Sequence, residues 1–403
     1  MSIRGDGIVK ISRRSQTAPF IAMDVLAEAG RAEAEGRHVI HLEVGEPAHG
    51  APQAAREAVA RAIRDGVGLG YTGGLGLPRL REALSGLYMA RYGVSVDPER
   101  IVVTAGSSAG FVLSFLALFD AGARVAIADP GYPCYRNILQ ALDLSPVRLA
   151  AGPATRFQPT PELLAEAGPI DGLLVASPAN PTGTMIDRDE MAALIGYCDA
   201  AGAPLISDEI YHGITYEAPA VSALELTDEV VVINSFSKFH AMTGWRVGWM
   251  VVPHDMVRTV QNLAQNLFIC APHLGQIAAL AAMSADGEAE VAGHLAQYRA
   301  NRAALIPALE RLGFRDIAPA DGAFYAYARL PEGWEDSRAF CARLLAEHDV
   351  AATPGLDFDP ERGAGTVRFS FARSGTEIAE GIARLEQMIA AGPRPEKASA
   401  PAG

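Results

Sequence analysis

The chain has 403 residues, 49% of them hydrophobic, and its 40 glycines and 26 prolines are scattered among apolar runs without an internal repeat. This suits an α/β protein with many short loops, long enough for two domains. A net charge of −13, from 34 basic and 47 acidic residues with no basic cluster, argues against a nucleic-acid surface, and four widely spaced cysteines (Cys134, Cys198, Cys270, Cys341) exclude a zinc ribbon or a dense disulfide framework and fit a reducing cytoplasm.

The N-terminal segment MSIRGDGIVKISRRSQ has no apolar stretch of signal-peptide length, and the longest apolar run, around Phe111 to Phe119, falls short of a membrane span. A soluble, cytoplasmic protein without a membrane segment is therefore expected. Ile21 to Gly36 is rich in helix formers, and VIHLEV after it predicts a strand ending at Gly45-Glu46-Pro47. Helices are expected over Gln53 to Asp65 and Arg79 to Tyr92, with a glycine-rich loop containing Tyr71 between them. From Ile101 onward, the short runs IVVT, RVAIAD, GLLVAS, PLISDE, VVVIN and WRVGWMVV alternate with helical stretches such as SAGFVLSFLALF. That alternation predicts a mostly parallel sheet with helices on both faces. Helix-period segments run from about Asp255 to Leu312, and near Gly313 the rhythm changes. GAFYAYARL, a helix around Ser337 to Glu347, VRFSFA and a final helix predict a smaller α+β unit, followed by a Pro/Ala/Gly-rich end expected to be disordered.

Three motifs compete. Gly68-Leu69-Gly70-Tyr71-Thr72-Gly73 is formally G-x-G-x-x-G, but it follows a helical stretch and runs toward Pro78, so it reads as a loop and not as a dinucleotide site. Gly106-Ser107-Ser108-Ala109-Gly110 matches G-x-S-x-G between a strand and a helix. It would make Ser108 a hydrolase nucleophile, or it is an anion cradle of backbone N–H groups at a helix N-terminus. His254, His273, His294 and His348 are available as bases, none in a context that marks it as one, and no H-E-x-x-H pattern occurs. The third candidate is an ordered set: Ser177 to Gly183 (SPANPTG), Ser207-Asp208-Glu209-Ile210-Tyr211, Asn234 to Lys238 (NSFSK) and Gly244-Trp245-Arg246. Each begins where a predicted strand ends or a loop opens, and in parallel sheets ligands bind at the carboxyl ends of strands.

At these residues the chain resembles the class I/II aminotransferases, the fold-type-I pyridoxal-phosphate enzymes, and especially their aspartate-aminotransferase-like branch. The likeness runs in order from Gly45-Glu46-Pro47 through Tyr71 to Val367-Arg368-Phe369-Ser370. It implies a mostly parallel seven-stranded sheet between helices in a large domain, residues 46–312. Residues 1–45 would form an arm and helix belonging to a small α+β domain completed by residues 313–391, and 392–403 a disordered tail.

The resemblance also assigns roles. Lys238 would form the Schiff base with pyridoxal 5'-phosphate and move the proton at the substrate α-carbon. Asp208 would pair with the pyridinium nitrogen. At about 4 Å and an effective dielectric near 20, that pairing is worth roughly 4 kcal/mol, or about three pKa units. A strand-end aspartate that only bonds a turn is the alternative, and Glu209, pointing the other way, is expected to be structural. Asn180 and Tyr211 would bond the phenolic oxygen, with Asn180 also facing substrate, although Asn180 between two prolines also suits a simple turn. Ser107, Ser108, Ala109, Ser235 and Arg246 would hold the phosphate, joined by Tyr71 from the second subunit of a homodimer. Tyr132 would stack on the ring, or be a buried loop aromatic. Arg368, preferred to Arg373 because an unpaired charge inside a strand is costly, would clamp the substrate carboxylate with Gly45 beside it.

The chain departs from the pattern at one point. Ser108 stands where some aspartate-like members carry a lysine that helps hold a distal carboxylate. A dicarboxylate preference does not follow, and Pro19, Phe20 and Tyr325 are expected to line a more apolar pocket. The expected reaction is ping-pong transfer of an amino group from an amino acid to a 2-oxo acid. A pyridoxal-phosphate lyase or decarboxylase, and a serine hydrolase through Ser108, are the alternatives.

Overall fold

The structure, a computed structural model, describes residues 11–393. The expected tail from residue 394 onward and arm residues 1–10 lie outside the described residues. The helices are α1 (Ile21–Ala34), α2 (Gln53–Arg64), α3 (Pro78–Tyr92), α4 (Ser107–Leu118), α5 (Pro133–Ala141), α6 (Pro161–Ala167), α7 (Arg188–Ala201), α8 (Val257–Leu267), α9 (His273–Ala282), α10 (Ala285–Arg311), α11 (Ser337–His348) and α12 (Gly375–Ala390). The strands are β1 (Ile40–His41), β2 (Ile101–Thr104), β3 (Arg124–Asp129), β4 (Ser145–Ala150), β5 (Gly172–Ala176), β6 (Leu205–Asp208), β7 (Val231–Ser235), β8 (Gly248–Val251), β9 (Tyr325–Arg329), β10 (Val350–Ala351), β11 (Thr353–Pro354) and β12 (Thr366–Ser370).

A seven-stranded sheet in the order β2-β8-β7-β6-β5-β3-β4 forms the centre. All its neighbouring pairs are parallel except those made by β8, which runs against both β2 and β7. The IVVT and VVINS runs have no polar alternation because both faces are covered. Alternate side chains go to opposite cores. Val103, Val175, Leu205, Val232 and Trp249 pack on one side with residues of α2, α3, α7 and α9. Val102, Leu174, Ile206, Ile233 and Met250 pack on the other with residues of α4, α5 and α8. A three-stranded antiparallel sheet, β11-β12-β9, packs with α11 and α12 in a further core that also takes in Ile210, Tyr211 and Ile214. That shared core joins the end of β6 to the smaller sheet.

Two expectations needed correction. VIHLEV predicts a full strand, but only Ile40 and His41 pair, in parallel with β10. The partner strand is equally short, and beyond it the Glu43 carbonyl turns to accept from Thr353 and Arg368. β4 was overlooked: SPVRLA carries Pro146 and polar residues, which a strand at the sheet edge tolerates. The segment Gly68 to Gly73 is a loop, as expected. All four cysteines are free thiols. Among the described residues no helix is long and apolar enough to cross a membrane, and no group of three His, Cys, Asp or Glu side chains could hold a metal.

Candidate active site

Because β2, β3, β5, β6 and β7 share one direction, their carboxyl ends lie along one edge of the sheet. Asp208 closes β6. Its side chain is 2% exposed and accepts the Tyr135 hydroxyl on Oδ2 and the Ile210 N–H on Oδ1 at 3.1 Å. Burial pushes the carboxyl up to about 6, while the Tyr135 hydroxyl, the Ile210 N–H and the Lys238 charge oppose the rise. Neighbouring Glu209 is turned away, accepting from the Ser222 hydroxyl (2.9 Å) and the Ala223 N–H (2.9 Å). It serves the packing beneath the edge, as its position on the strand led one to expect.

Lys238 lies in the turn after β7, and its Nζ donates to the Gly45 carbonyl at 2.6 Å. Burial, then the positive charge of Arg368, lowers its amine to about 8; Arg246 adds to the effect, and Glu46 and Asp208 oppose it. The amine therefore sits among the residues that sequence motifs placed far apart. Asn180 lies in a loop in which the Ala179 N–H donates to Thr184 O (2.9 Å) and the Gly183 N–H to Ala179 O (2.7 Å). Gly183 has φ +68, and a Cβ there would press on the Gly322 carbonyl.

Arg368, in the middle of β12, is 2% exposed. It donates from Nη1 to Asn180 Oδ1 (2.9 Å) and from Nη2 to the Glu43 carbonyl and Thr353 Oγ1 (3.3 Å). Its guanidinium lies between the Tyr325 and Phe358 rings, 4.5 and 4.7 Å from their centroids, and its Nε has no hydrogen-bond partner among the described residues. No carboxylate of the described residues forms an ion pair with it. Arg373 lies elsewhere, with its Nε on the His41 carbonyl. Tyr211 is 3% exposed, and its hydroxyl meets the Tyr325 hydroxyl at 2.6 Å. The Lys238 ammonium lies 5.9 Å from the Tyr211 ring centroid.

At the other end of the edge, Gly106 (φ +77) turns β2 into α4, whose N-terminus carries no side-chain cap. Its first-turn N–H groups, from Ser107, Ser108 and Ala109, are thus left for an anion. The Arg246 guanidinium packs over Gly106 so closely that a Cβ there would overlap it, and its Nη1 donates to Thr243 O (3.0 Å). Ser235 closes β7 nearby, its hydroxyl engaged with Ser237 Oγ (2.8 Å) and the Val247 carbonyl (3.1 Å). Tyr132 is half-buried, edge-on to Tyr135 at 5.3 Å and to Phe20 at 5.9 Å, which brings the N-terminal arm against the cleft. Tyr71, by contrast, joins none of these residues among those described. It is 82% exposed, beside a groove of about 440 Å³ that runs from Leu69 to Ala105 and Cys270.

Several residues in this arrangement escaped sequence reasoning. Tyr135 holds Asp208, and Glu43 and Thr353 hold Arg368 through a carbonyl and a hydroxyl. Tyr135 was detectable in principle: it follows Tyr132 by three residues at the start of α5, hence on the same face. Glu43 was not, since it acts through its backbone. Tyr325 was expected to give an apolar wall, but its hydroxyl is engaged with Tyr211.

This donor set is that of an enzyme that handles a carbonyl cofactor bearing a phosphate. Residues 37–385 match the family described as aminotransferase class I and II, and the chain belongs to that family. It is 49% identical over 380 residues to the valine–pyruvate aminotransferase of Mycobacterium tuberculosis, covering 93% of this chain and 97% of that one. A crystal structure of an aminotransferase from Mycobacterium tuberculosis superposes with a TM-score of 0.93 at 47% identity, covering 95% of this chain and all of that one. The aspartate aminotransferase of Thermus thermophilus with maleate gives 0.88 at 29% identity, covering 94% of this chain and all of that one. The fold is thus fold type I, and the chain is a pyridoxal-phosphate-dependent aminotransferase, working by ping-pong transfer through a lysine Schiff base. The residues present fit the cofactor: an uncapped helix N-terminus with an arginine at one end, a buried carboxylate at the other, and a desolvated amine among them.

Proposed function

We propose that the chain transfers the amino group of a small apolar amino acid to a monocarboxylic 2-oxo acid, with the residue roles that the motifs suggested. The observation that carries this reading is Arg368: a buried guanidinium without a carboxylate partner among the described residues, near an amine held at lowered basicity. An unpaired buried cation is costly, and the carboxylate of an α-amino acid offsets that cost. The absence of a cation at Ser108, the Phe20 and Tyr132 rings, and likeness to a relative named for valine and pyruvate favour an apolar substrate over a dicarboxylate.

Bound pyridoxal phosphate supplies an electron-withdrawing ring that stabilises negative charge at the substrate α-carbon. Lys238 carries the proton to and from that carbon, and its lowered basicity keeps part of it neutral near pH 8. Asp208, kept in place by Tyr135, would pair with the ring nitrogen. Asn180 and Tyr211 donate to the phenolic oxygen; Asn180 has its Oδ1 on Arg368 and so retains its Nδ2 donors. The N–H groups of Ser107, Ser108 and Ala109, with Ser235 and Arg246, would hold the phosphate, Tyr132 would stack on the ring, and Gly45 would assist Arg368 at the substrate carboxylate. Exposed Tyr71, flanked by exposed Leu69 and Ile269, supports a homodimer in which it completes the partner's site. Division into a large domain of residues 46–312 and a small one of 1–45 with 313–391, and work in the cytoplasm, belong to the same proposal.

The test is a panel of amino acids mixed with the holoenzyme. Valine and alanine should bleach the visible absorbance and release the matching 2-oxo acid, and pyruvate should restore the colour. Faster bleaching by aspartate or glutamate would overturn the substrate assignment, and no bleaching by any amino acid would overturn the role given to the site.

A further inference from the structure

Tyr325 opens β9, and Ser370 of β12 is its direct neighbour, so Arg368 is its diagonal neighbour on the same face of the sheet. The side chain is 1% exposed, and three of its contacts are with parts of the site. Its ring lies 4.5 Å from the Arg368 guanidinium carbon. Its hydroxyl meets the Tyr211 hydroxyl at 2.6 Å, the two rings standing edge to face at 5.6 Å. The same hydroxyl fills the place that a Cβ on residue 45 would take, while the Gly45 carbonyl receives Lys238 at 2.6 Å.

We propose that Tyr325 is a positioning residue: its hydroxyl orients the Tyr211 hydroxyl, and its ring orients the Arg368 guanidinium, so one side chain aligns the cofactor side of the site with the substrate side. This rests on the roles of Tyr211 and Arg368 proposed above. If Tyr211 commits its proton to the cofactor's phenolic oxygen, its own oxygen is free to accept, and Tyr325 is the donor the structure puts there. A hydrogen bond received by Tyr211 makes it a stronger donor in turn. Gly45 is the residue that leaves room for this pair. The charged and titratable groups acting on the two tyrosines and the lysine are Arg368, Arg246, Glu46, Asp208 and Tyr132, and both variants of Tyr325 leave them in place.

Two readouts separate the roles. One is the pH midpoint at which the visible absorbance of substrate-free holoenzyme changes, the other the dissociation constant of an amino acid compared with the amine lacking its carboxylate. Tyr325→Phe keeps the ring and loses the hydroxyl. Its absorbance midpoint should rise by about half a unit, since a weaker donor at Tyr211 favours the protonated linkage, while amino-acid affinity stays within about twofold. Tyr325→Leu loses the ring as well and should bind the amino acid, but not the amine, about fivefold more weakly. Tyr211→Phe with Tyr325→Phe should titrate like Tyr211→Phe alone, because Tyr325 acts through Tyr211. A wild-type midpoint in Tyr325→Phe, additive shifts in the double variant, or unchanged amino-acid affinity in Tyr325→Leu would each overturn the inference. A wild-type protein that fails to bleach with amino acids marks a failure of the functional reading instead.

Discussion

Replacing Arg368 by lysine keeps the charge and removes the fork. The guanidinium has five N–H donors; those on Nη1 and Nη2 reach Asn180, Glu43 and Thr353, and Nε reaches nothing among the described residues. A lysine ammonium is a point charge on a flexible stem, unable to hold Asn180 and the Glu43 carbonyl while also meeting a carboxylate with two parallel bonds. Loss of one charge-assisted hydrogen bond costs about 1.5–3 kcal/mol, which lowers kcat/KM about 10- to 150-fold. The assay is the half-reaction followed by bleaching, with an amino acid and with the amine in which hydrogen replaces the carboxylate. Arg368→Lys should lose that factor for the amino acid and stay within about threefold for the amine. Equal losses for both would show that Arg368 only supports the fold at β12, and the reasoning from its unpaired charge would be refuted.

In the cofactor-free protein, Lys238 should react with an amine-directed acylating reagent with a midpoint near pH 8, because burial and the Arg368 charge favour the neutral amine; site-resolved mass spectrometry showing the ordinary value of 10.5 would contradict this. If Tyr71 completes the partner's site, mixing inactive Tyr71→Ala and Lys238→Ala proteins should restore about a quarter of wild-type activity, since half the dimers would be hybrids with one intact site. Failure to recover any activity, with hybrids verified by mass, would place Tyr71 outside the site. Ser108→Ala should keep amino-transfer rates within about threefold, as its backbone N–H and not its hydroxyl serves the phosphate; a loss of two orders of magnitude would assign the hydroxyl an essential part.

The alternating strands and helices were legible because both faces of the sheet are buried, which turns β2, β5, β6 and β7 into short apolar runs ending at Thr104, Ala176, Asp208 and Ser235. For the same reason Ser107, Asn180, Asp208 and Lys238 could be placed together, since each lies at or just after the end of such a run, whereas Arg246, Arg368 and Tyr71 do not. What stayed hidden depends on contacts without a sequence signature. β4 is an edge strand interrupted by Pro146, and β1 stops after His41 because its partner β10 does. Tyr135 becomes meaningful only when α5 lays it against Asp208, and Glu43 acts through a carbonyl that any residue would supply. Periodicity records burial. It does not record which polar atoms meet.

The segment Gly106 to Gly110 shows how geometry decides between two readings of the same residues. A serine nucleophile needs a base within hydrogen-bond reach, itself oriented by a third group. Ser108 is exposed on the first turn of α4, and the four histidines considered as its base are engaged elsewhere or lie on other elements. His254 faces Asp97 at 3.7 Å, His273 bonds the Gly70 carbonyl at 2.9 Å, His294 stacks on His49 at 3.9 Å, and His348 ends α11. What the turn does present is a run of N–H groups without a side-chain cap among the described residues, after a glycine at φ +77 and with a guanidinium against it. Those groups are placed to meet an anion whatever the side chain at 108. The proposed phosphate role asks nothing of the serine hydroxyl, and Ser108 brings no cation for a second carboxylate.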